Sequence, residues 1–165
     1  MDEAAADRVE FAPMDAATFA TWREGSIRGY AEERVRSGQW AVEGALERAR
    51  SDGEKLLTKG AATPGHYIRS VVALTGTKPV VGSLWWAERD HPGGRTGYIF
   101  DVGIDEAFRR QGYARAALEL LSRRCREQGL RSLGLHVFAY KTGALALYEG
   151  IGFETTSHNM TLSFV

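Results

Sequence analysis

The chain has 165 residues, 44% of them hydrophobic and 10% aromatic, which suits one globular domain with a full core. Lysine plus arginine and aspartate plus glutamate each total 21, so no net charge draws it onto nucleic acid, an anionic membrane or a basic partner. Cys125 is the only cysteine, which excludes an intrachain disulfide and any Cys-x-x-Cys metal or redox pair and fits a reducing compartment.

The start, MDEAAADRVEF, is acidic and has neither a basic n-region nor an apolar h-region. No later apolar run approaches the ~20 residues that span a bilayer, so a cytoplasmic protein without a membrane partner is expected. Val9 to Ala12 reads as a first strand, Pro13 breaks it, and Asp15 is placed to cap a helix carrying Phe19 and Trp22. Residues 31 to 57 read as more helix, with Val42, Ala45, Leu46 and Ala49 forming an i, i+3, i+4, i+7 stripe. Gly60 to Gly65 (GAATPG) is a loop by composition.

Three strands follow, Tyr67 to Leu74, Val80 to Glu88 and Gly97 to Ile104. Gly76-Thr77-Lys78-Pro79 and His91-Pro92-Gly93-Gly94 separate them as turns, which predicts an antiparallel meander. A long helix from Gln111 to Gln128 carries Ala114, Ala117, Leu118, Leu121 and Cys125 at helical spacing and stops at Gly129. Leu133 to Phe138 reads as a strand, and a helix from Thr142 carries Ala144, Leu147, Tyr148 and Ile151. Two last strands end at Val165. This order predicts an α/β fold, a mixed sheet with helices on both faces, in a single domain over residues 1–165.

Arg109-Arg110-Gln111-Gly112-Tyr113-Ala114 marks where strand gives way to helix. First-turn amides have no partner inside a helix, and the positive dipole end makes them an anion site. Gly112 and Ala114 leave room for an anion against the backbone, and Arg109 and Arg110 add charge. There is no Gly-x-x-x-x-Gly-Lys-[Ser/Thr], no Gly-x-Gly-x-x-Gly and no His-Glu-x-x-His, and His66, His91, His136 and His158 lack metal-ligand spacing. Arg115, Arg123, Arg124 and Arg126 share their helix with Glu119 and Glu127, and Glu119 with Arg123 makes an i, i+4 pair, so this face reads as solvated rather than as a nucleic-acid surface.

The spacing Arg109-x-x-Gly112-x-Ala114 resembles the acyl-CoA pyrophosphate loop, Gln/Arg-x-x-Gly-x-Gly/Ala, of the GNAT superfamily of N-acetyltransferases. Ala144-x-x-Leu147-Tyr148-x-x-x-Gly152-Phe153 resembles that family's Ala-x-x-x-Tyr-x-x-x-Gly-Phe segment, and Val102 and Ile104 match its hydrophobic pair before the loop. The resemblance implies the GNAT fold, a mostly antiparallel sheet splayed between the fourth and fifth strands by a bulge, here at Gly103. Residues 1–66 then form the variable, helical substrate-side region. Acetyl-CoA is the implied co-substrate, with no metal. Its implied contacts are Val102, Gly103, Ile104, Arg109, Arg110, Gln111, Gly112, Tyr113, Ala114, Arg115 and Tyr148. Lys141 stands where the family usually has a CoA-contacting asparagine, so it either pairs with a CoA phosphate or is solvated.

The resemblance makes Tyr148 the general acid that protonates the leaving thiolate. For the base, His136 and Asp101 both qualify, while Phe100 stands where other members carry a glutamate. Cys125 falls on an apolar stripe where a thiol is buried and inert, so direct attack in a ternary complex is expected. Trp22, Tyr30, Trp40, Trp85 and Trp86 are candidates to wall the acceptor pocket, with Glu32 or Glu33 drawing a cationic amine. The implied acceptor is an amine of a small molecule or peptide. Two alternatives stay open: a catalytically silent acyl-CoA-binding module, and an enzyme using another acyl-CoA or a non-amine acceptor. The family often forms homodimers, and the C-terminal strands would supply an edge.

Overall fold

Alternating buried and half-exposed side chains place five strands in one mixed sheet, in the order β1 (Val9–Pro13), β2 (His66–Ala73), β3 (Val80–Arg89), β4 (Thr96–Ile104) and β5 (Leu133–Leu135). The computed structural model describes residues 3–162 and 164. β2, β3 and β4 pair antiparallel, as the two predicted turns require, β1 pairs antiparallel with β2, and β5 runs parallel to β4. Five α-helices accompany the described strands: α1 (Glu3–Ala6), α2 (Ala16–Arg36), α3 (Ala45–Leu56), α4 (Tyr113–Glu127) and α5 (Thr142–Glu149). α2 starts where predicted, because the Asp15 carboxylate accepts a hydrogen bond from the Thr18 amide at 2.7 Å.

The sheet buries both faces. On one, Val71, Val81, Leu84, Trp86 and Ile99 pack against Ala117, Leu118 and Leu121 of α4. On the other, Ile68 and Trp85 pack against Phe19 and Trp22 of α2. Adjacent strand residues point to opposite faces, so Trp85 and Trp86 are separated. Trp86 stacks on Tyr67 with ring centroids 5.0 Å apart, in the main core, and is no pocket wall. A smaller cluster of Ile27, Ala31, Ala45 and Ala49 joins α2 to α3.

Several expectations fail for identifiable reasons. The helix expected over 31–57 breaks after Arg36, where Gly38 (φ +72°) and Gly44 (φ +74°) take left-handed conformations that end α2 and precede α3. Val42 therefore lies outside any helix and is 80% exposed, Leu46 is exposed, and of the predicted stripe Ala45 and Ala49 are buried. The strand expected over Leu133 to Phe138 ends at Leu135. Beyond it the chain is drawn onto the end of α2, where the Arg34 guanidinium lies over Phe138 at 6.0 Å and that of Arg36 over Tyr140 at 4.6 Å. No strand forms over residues 153–162, where Met160 and Leu162 are exposed and no described strand pairs with them; residues 163 and 165 of the expected C-terminal strands lie outside the described residues. α1, which the sequence pattern does not announce, places Ala6 in the main core.

On α4 the expected solvated Glu119 is buried and pairs with Arg115 at 3.3 Å, while Arg123 pairs with Asp7 at 2.9 Å. One pair thus lies within α4, and the other ties the helix to the N-terminal segment.

Candidate active site

The site begins where β4 loses its outer neighbour. β5 pairs with β4 only over Gly97 to Ile99. On the inner edge the register shifts at the same place: Trp85 pairs with Asp101 and Trp86 with Ile99, leaving Phe100 as the extra residue. The bulge is therefore at Phe100 and not at Gly103. Gly103 pairs in register with Ser83, and the close backbone approach belongs to Gly82, where a Cβ would overlap the Gly103 carbonyl oxygen. From Phe100 to Ile104 the outer edge of β4, including Val102, Gly103 and Ile104, is unpaired among the described strands.

The strand leads into the candidate anion loop. Arg110 (φ +63°) and Gly112 (φ +86°) both take left-handed conformations, and the first helical bond of α4 runs from the Ala116 amide to the Gly112 carbonyl at 3.0 Å. The amides of Gly112, Tyr113, Ala114 and Arg115 are thus the unpaired set at the helix start. Arg109 Nε donates to the Ile104 carbonyl at 3.0 Å, tying the loop to β4, and Gln111 Nε2 donates to the Ala107 carbonyl at 3.0 Å. The Tyr113 side chain is buried in the core, so only its backbone faces the loop's concave side. Arg115 Nη1 donates to the Gly150 carbonyl at 3.1 Å, which joins α4 to the end of α5.

Sequence reasoning missed Arg8. Its Nη2 donates to the Gln111 carbonyl at 3.0 Å and its guanidinium lies 5.2 Å from the Tyr113 ring centre. Arg8 and Gln111 are 103 positions apart, so no local spacing announces the contact.

Across the opening, Asp101, Glu33, Lys141 and Tyr148 converge with Trp22. Lys141, the residue before α5, forms an ion pair with Glu33 of α2. Burial pushes the Asp101 carboxyl above its ordinary range and the negative Glu33 adds to this, against the Trp22 side chain, Lys141 and the Val102 amide, which favour the carboxylate. The Trp22 Nε1 itself completes no hydrogen bond of good geometry. Burial also raises the Tyr148 phenol, with Asp101 and then Glu33 adding to the shift, so it holds its proton through neutral pH. The Tyr148 ring meets Phe153 edge-on, centroids 5.7 Å apart.

His136 lies past the end of β5, exposed, with its ring edge-on to Phe138 at 4.9 Å. The two candidate bases are therefore in different settings, and Asp101 is the one gathered with Tyr148. Burial pushes the Cys125 thiol up to about 11, which leaves it protonated and unreactive.

The aromatic candidates also separate. Trp22 meets Trp85 edge-on at 5.6 Å, and Trp85 stacks on Phe100 at 4.4 Å, beside Asp101. Trp85 Nε1 donates to His66 Nδ1 at 3.1 Å, and burial, with Arg89 nearby, lowers the His66 pKa, so this imidazole is neutral. Tyr30 and Trp40 instead pack with the α2–α3 cluster beneath Arg34. Glu32 is exposed, and Glu33 is half-buried.

A model of the acetyltransferase (GNAT) family matches residues 34–153. Two Bacillus subtilis proteins named as uncharacterized N-acetyltransferases are similar over most of their length. YycN is 38% identical over 145 residues, covering 87% of this chain and 91% of its own; YdgE is 33% identical over 143 residues, covering 86% and 89%. The crystal structure of YycN superposes with a TM-score of 0.87 at 35% identity, over 95% of this chain and 99% of that one. A shorter likeness, 40% over 56 residues, links 34% of this chain to 38% of the Escherichia coli K12 [ribosomal protein bS18]-alanine N-acetyltransferase.

Proposed function

The chain belongs to the acetyltransferase (GNAT) family, and from that premise we propose that it moves an acetyl group from acetyl-CoA to a primary amine of a small molecule or peptide, by direct attack in a ternary complex. The residues present fit such a co-substrate. The left-handed Arg110 and Gly112 precede a 15-residue helix whose first amides lack helical partners, which suits a pyrophosphate, and the open β4 edge offers main-chain groups to an extended thioester arm. Acetyl-CoA, when bound, supplies the activated acetyl group.

The observation that carries the reading is the gathering of Asp101 and Tyr148 at the splayed edge of β4, close enough to shift the phenol. Asp101 takes the proton from the acceptor ammonium or from the attacking nitrogen. Tyr148, held protonated by burial and two nearby carboxylates, gives its proton to the leaving thiolate. Main-chain amides around Val102 to Ile104 stabilise the charge that grows on the acetyl oxygen. Trp22, Trp85 and Phe100 wall the acceptor side, and Glu33 adds the negative field that favours a cationic amine. The likeness to an enzyme acting on a protein alanine supports a peptide α-amine among the acceptors to be tried.

The test follows free thiol while the protein is incubated with acetyl-CoA and a panel of amines and short peptides. Thiol release that saturates with one acceptor is the expected result. Saturable acetyl-CoA binding with no release above background overturns the enzyme reading in favour of a silent acyl-CoA-binding module. A homodimer is part of the same proposal: Met160, Leu162 and Phe164 are exposed at alternate positions, the pattern of a strand awaiting a partner, and light scattering behind a sizing column reads the mass.

A further inference from the structure

Toward the start of β4, the sheet face that carries Trp85 and Phe100 opens into a cavity of about 420 Å³. It is lined by Tyr98 of β4, by Arg89 and Asp90 where β3 ends, and by Ser132 and Gly134 where β5 begins. Trp85, Ala87 and Arg89 alternate onto one face of β3, and Tyr98 and Phe100 onto the same face of β4. The Arg89 guanidinium lies over both rings, 4.3 Å from the centre of Tyr98 and 5.1 Å from that of Phe100. Among the described residues it makes no ion pair and no side-chain hydrogen bond, with Asp90 or with any other group. Its neighbours are already engaged: Arg95 pairs with Glu88, and Arg131 donates to the Gly93 carbonyl. The rings hold the cation without using its N–H groups, which leaves them for a ligand.

The floor of the cavity continues to the candidate base. Tyr98 meets Phe100 edge-on at 5.0 Å, Phe100 stacks on Trp85, and Trp85 pairs in register with Asp101. Asp101 lies three residues after Tyr98, roughly 10 Å along a strand that rises about 3.3 Å per residue. Gly134 is the partner of Tyr98 in β5 and has no side chain to cover the ring.

We propose that this cavity is an acceptor subsite for a carboxylate: Arg89, carried on Tyr98 and Phe100, binds the free C-terminal carboxylate of a short peptide whose α-amine reaches Asp101. The N–H groups of a guanidinium match the two oxygens of a carboxylate. An extended tripeptide spans about 10 Å, the length of the floor between the two groups. Asp90 on the same rim weakens the subsite by its negative charge without occupying the guanidinium. The inference rests on the reading of the acceptor as an amine and of Asp101 as the base, and it names what the far end of that acceptor carries.

The experiment compares trialanine, trialanine amide and an amidated pentapeptide whose third residue is glutamate. It measures kcat/KM by thiol release at saturating acetyl-CoA, and peptide affinity by calorimetry in the presence of CoA. The free acid is expected to exceed the amide about tenfold in both, through KM rather than kcat. Arg89→Gln and Arg89→Ala bring acid and amide level, and Asp90→Asn widens the gap between them. Gly134→Val shrinks the gap with Arg89 in place, because a Cβ there meets Tyr98 Cδ2 at an ordinary 3.9 Å and the larger side chain fills the cavity. Equal turnover of acid and amide by the unmodified enzyme overturns the subsite and leaves the amine reading standing. A preference for the acid that persists in Arg89→Ala overturns the role of Arg89. A pentapeptide that matches the free acid overturns the C-terminal form and assigns the carboxylate to a side chain. Acid-selective binding that Arg89→Gln abolishes, without turnover of any peptide, supports the subsite and overturns the enzyme reading; no binding of any peptide overturns the subsite.

Discussion

The proposed donor side of the site is made by backbone conformation, whereas the proposed acid–base side is made by side chains that converge from distant parts of the chain. From Phe100 to Ala114 the working parts are a bulge, an unpaired strand edge, two left-handed residues and the free amides of a helix start. On the other side, Trp22 and Glu33 of α2 and Lys141 before α5 bear on the ionisation of Asp101 of β4, and Asp101 and Glu33 bear on that of Tyr148 of α5. Backbone devices tolerate changes in side chains, and an electrostatic cluster does not. Substitutions should therefore separate the two sides, with pH profiles moved by one and donor affinity by the other.

Asp101→Asn should have the largest effect. Loss of a general base lowers kcat/KM about 10²- to 10⁴-fold and removes the acidic limb, while His136→Ala keeps that limb. The same change should raise the melting temperature at pH 7. The folded Asp101 carboxyl titrates above its unfolded value, so the charged form costs stability once the pH exceeds the unfolded pKa, and the cost is complete above the folded one. The stabilisation should vanish at pH values below the ordinary carboxylate range, where both states are protonated. A variant less active and less stable at neutral pH would break the assignment.

Tyr148→Phe comes next. Removing the proton that serves the thiolate is expected to lower kcat about 10- to 100-fold, with acetyl-CoA affinity nearly unchanged by calorimetry. A kcat that matches the unmodified enzyme removes Tyr148 from the reaction and leaves it as a core residue beside Phe153.

This division also explains what the sequence makes legible. The meander, the Asp15 cap, the α4 boundaries and the Arg109 to Ala114 loop all follow from residues within a few positions of one another, where spacing and turn chemistry decide the backbone. The break between α2 and α3 was signalled by Gly38 and Gly44, although the helical spacing of Val42, Ala45, Leu46 and Ala49 masks it. The end of β5 is a different case. His136-Val137-Phe138 has strand composition, and only the Arg34 and Arg36 side chains of α2, a hundred residues earlier, show why it leaves the sheet. Met160 and Leu162 alternate as a strand should, yet a strand exists only with a neighbour to pair it. The ion pair of Lys141 was likewise out of reach, because sequence shows that the family's asparagine is missing but not where the lysine goes.

The glycines around the bulge give a sharper comparison between pattern and structure. A Cβ at Gly82 would overlap the Gly103 carbonyl and lie 2.9 Å from Ile104 Cα, both backbone atoms, while a Cβ at Gly103 would meet Ser83 Oγ at an ordinary 3.8 Å. Gly82→Ala is therefore expected to cost about 1–3 kcal/mol, read by thermal or urea denaturation, and to disturb the strand edge that faces the donor. Gly103→Ala should cost under about 1 kcal/mol on the same measurement. Equal losses would mean that β4 yields as a unit.

Arg8→Ala should have the smallest effect, and it probes a place where the N-terminal segment reaches the proposed donor side. The Arg8 guanidinium holds the Gln111 carbonyl at 3.0 Å and covers the Tyr113 ring, and its Nη1 fills the space beside Gly112 that a Cβ would meet at 2.8 Å. The contact is exposed, so one hydrogen bond and one cation–π contact contribute about 1 kcal/mol together, and part of that is recovered by water. Loosening the loop should raise the dissociation constant of acetyl-CoA about two- to fivefold, because the amides must then be ordered on binding. The acidic limb set by Asp101 should stay where it is, since Arg8 braces the backbone of the loop and is not among the groups that shift Asp101. A limb that moves with Arg8→Ala would show that the two sides of the cleft are coupled through α4, and that backbone and electrostatic parts cannot be substituted independently.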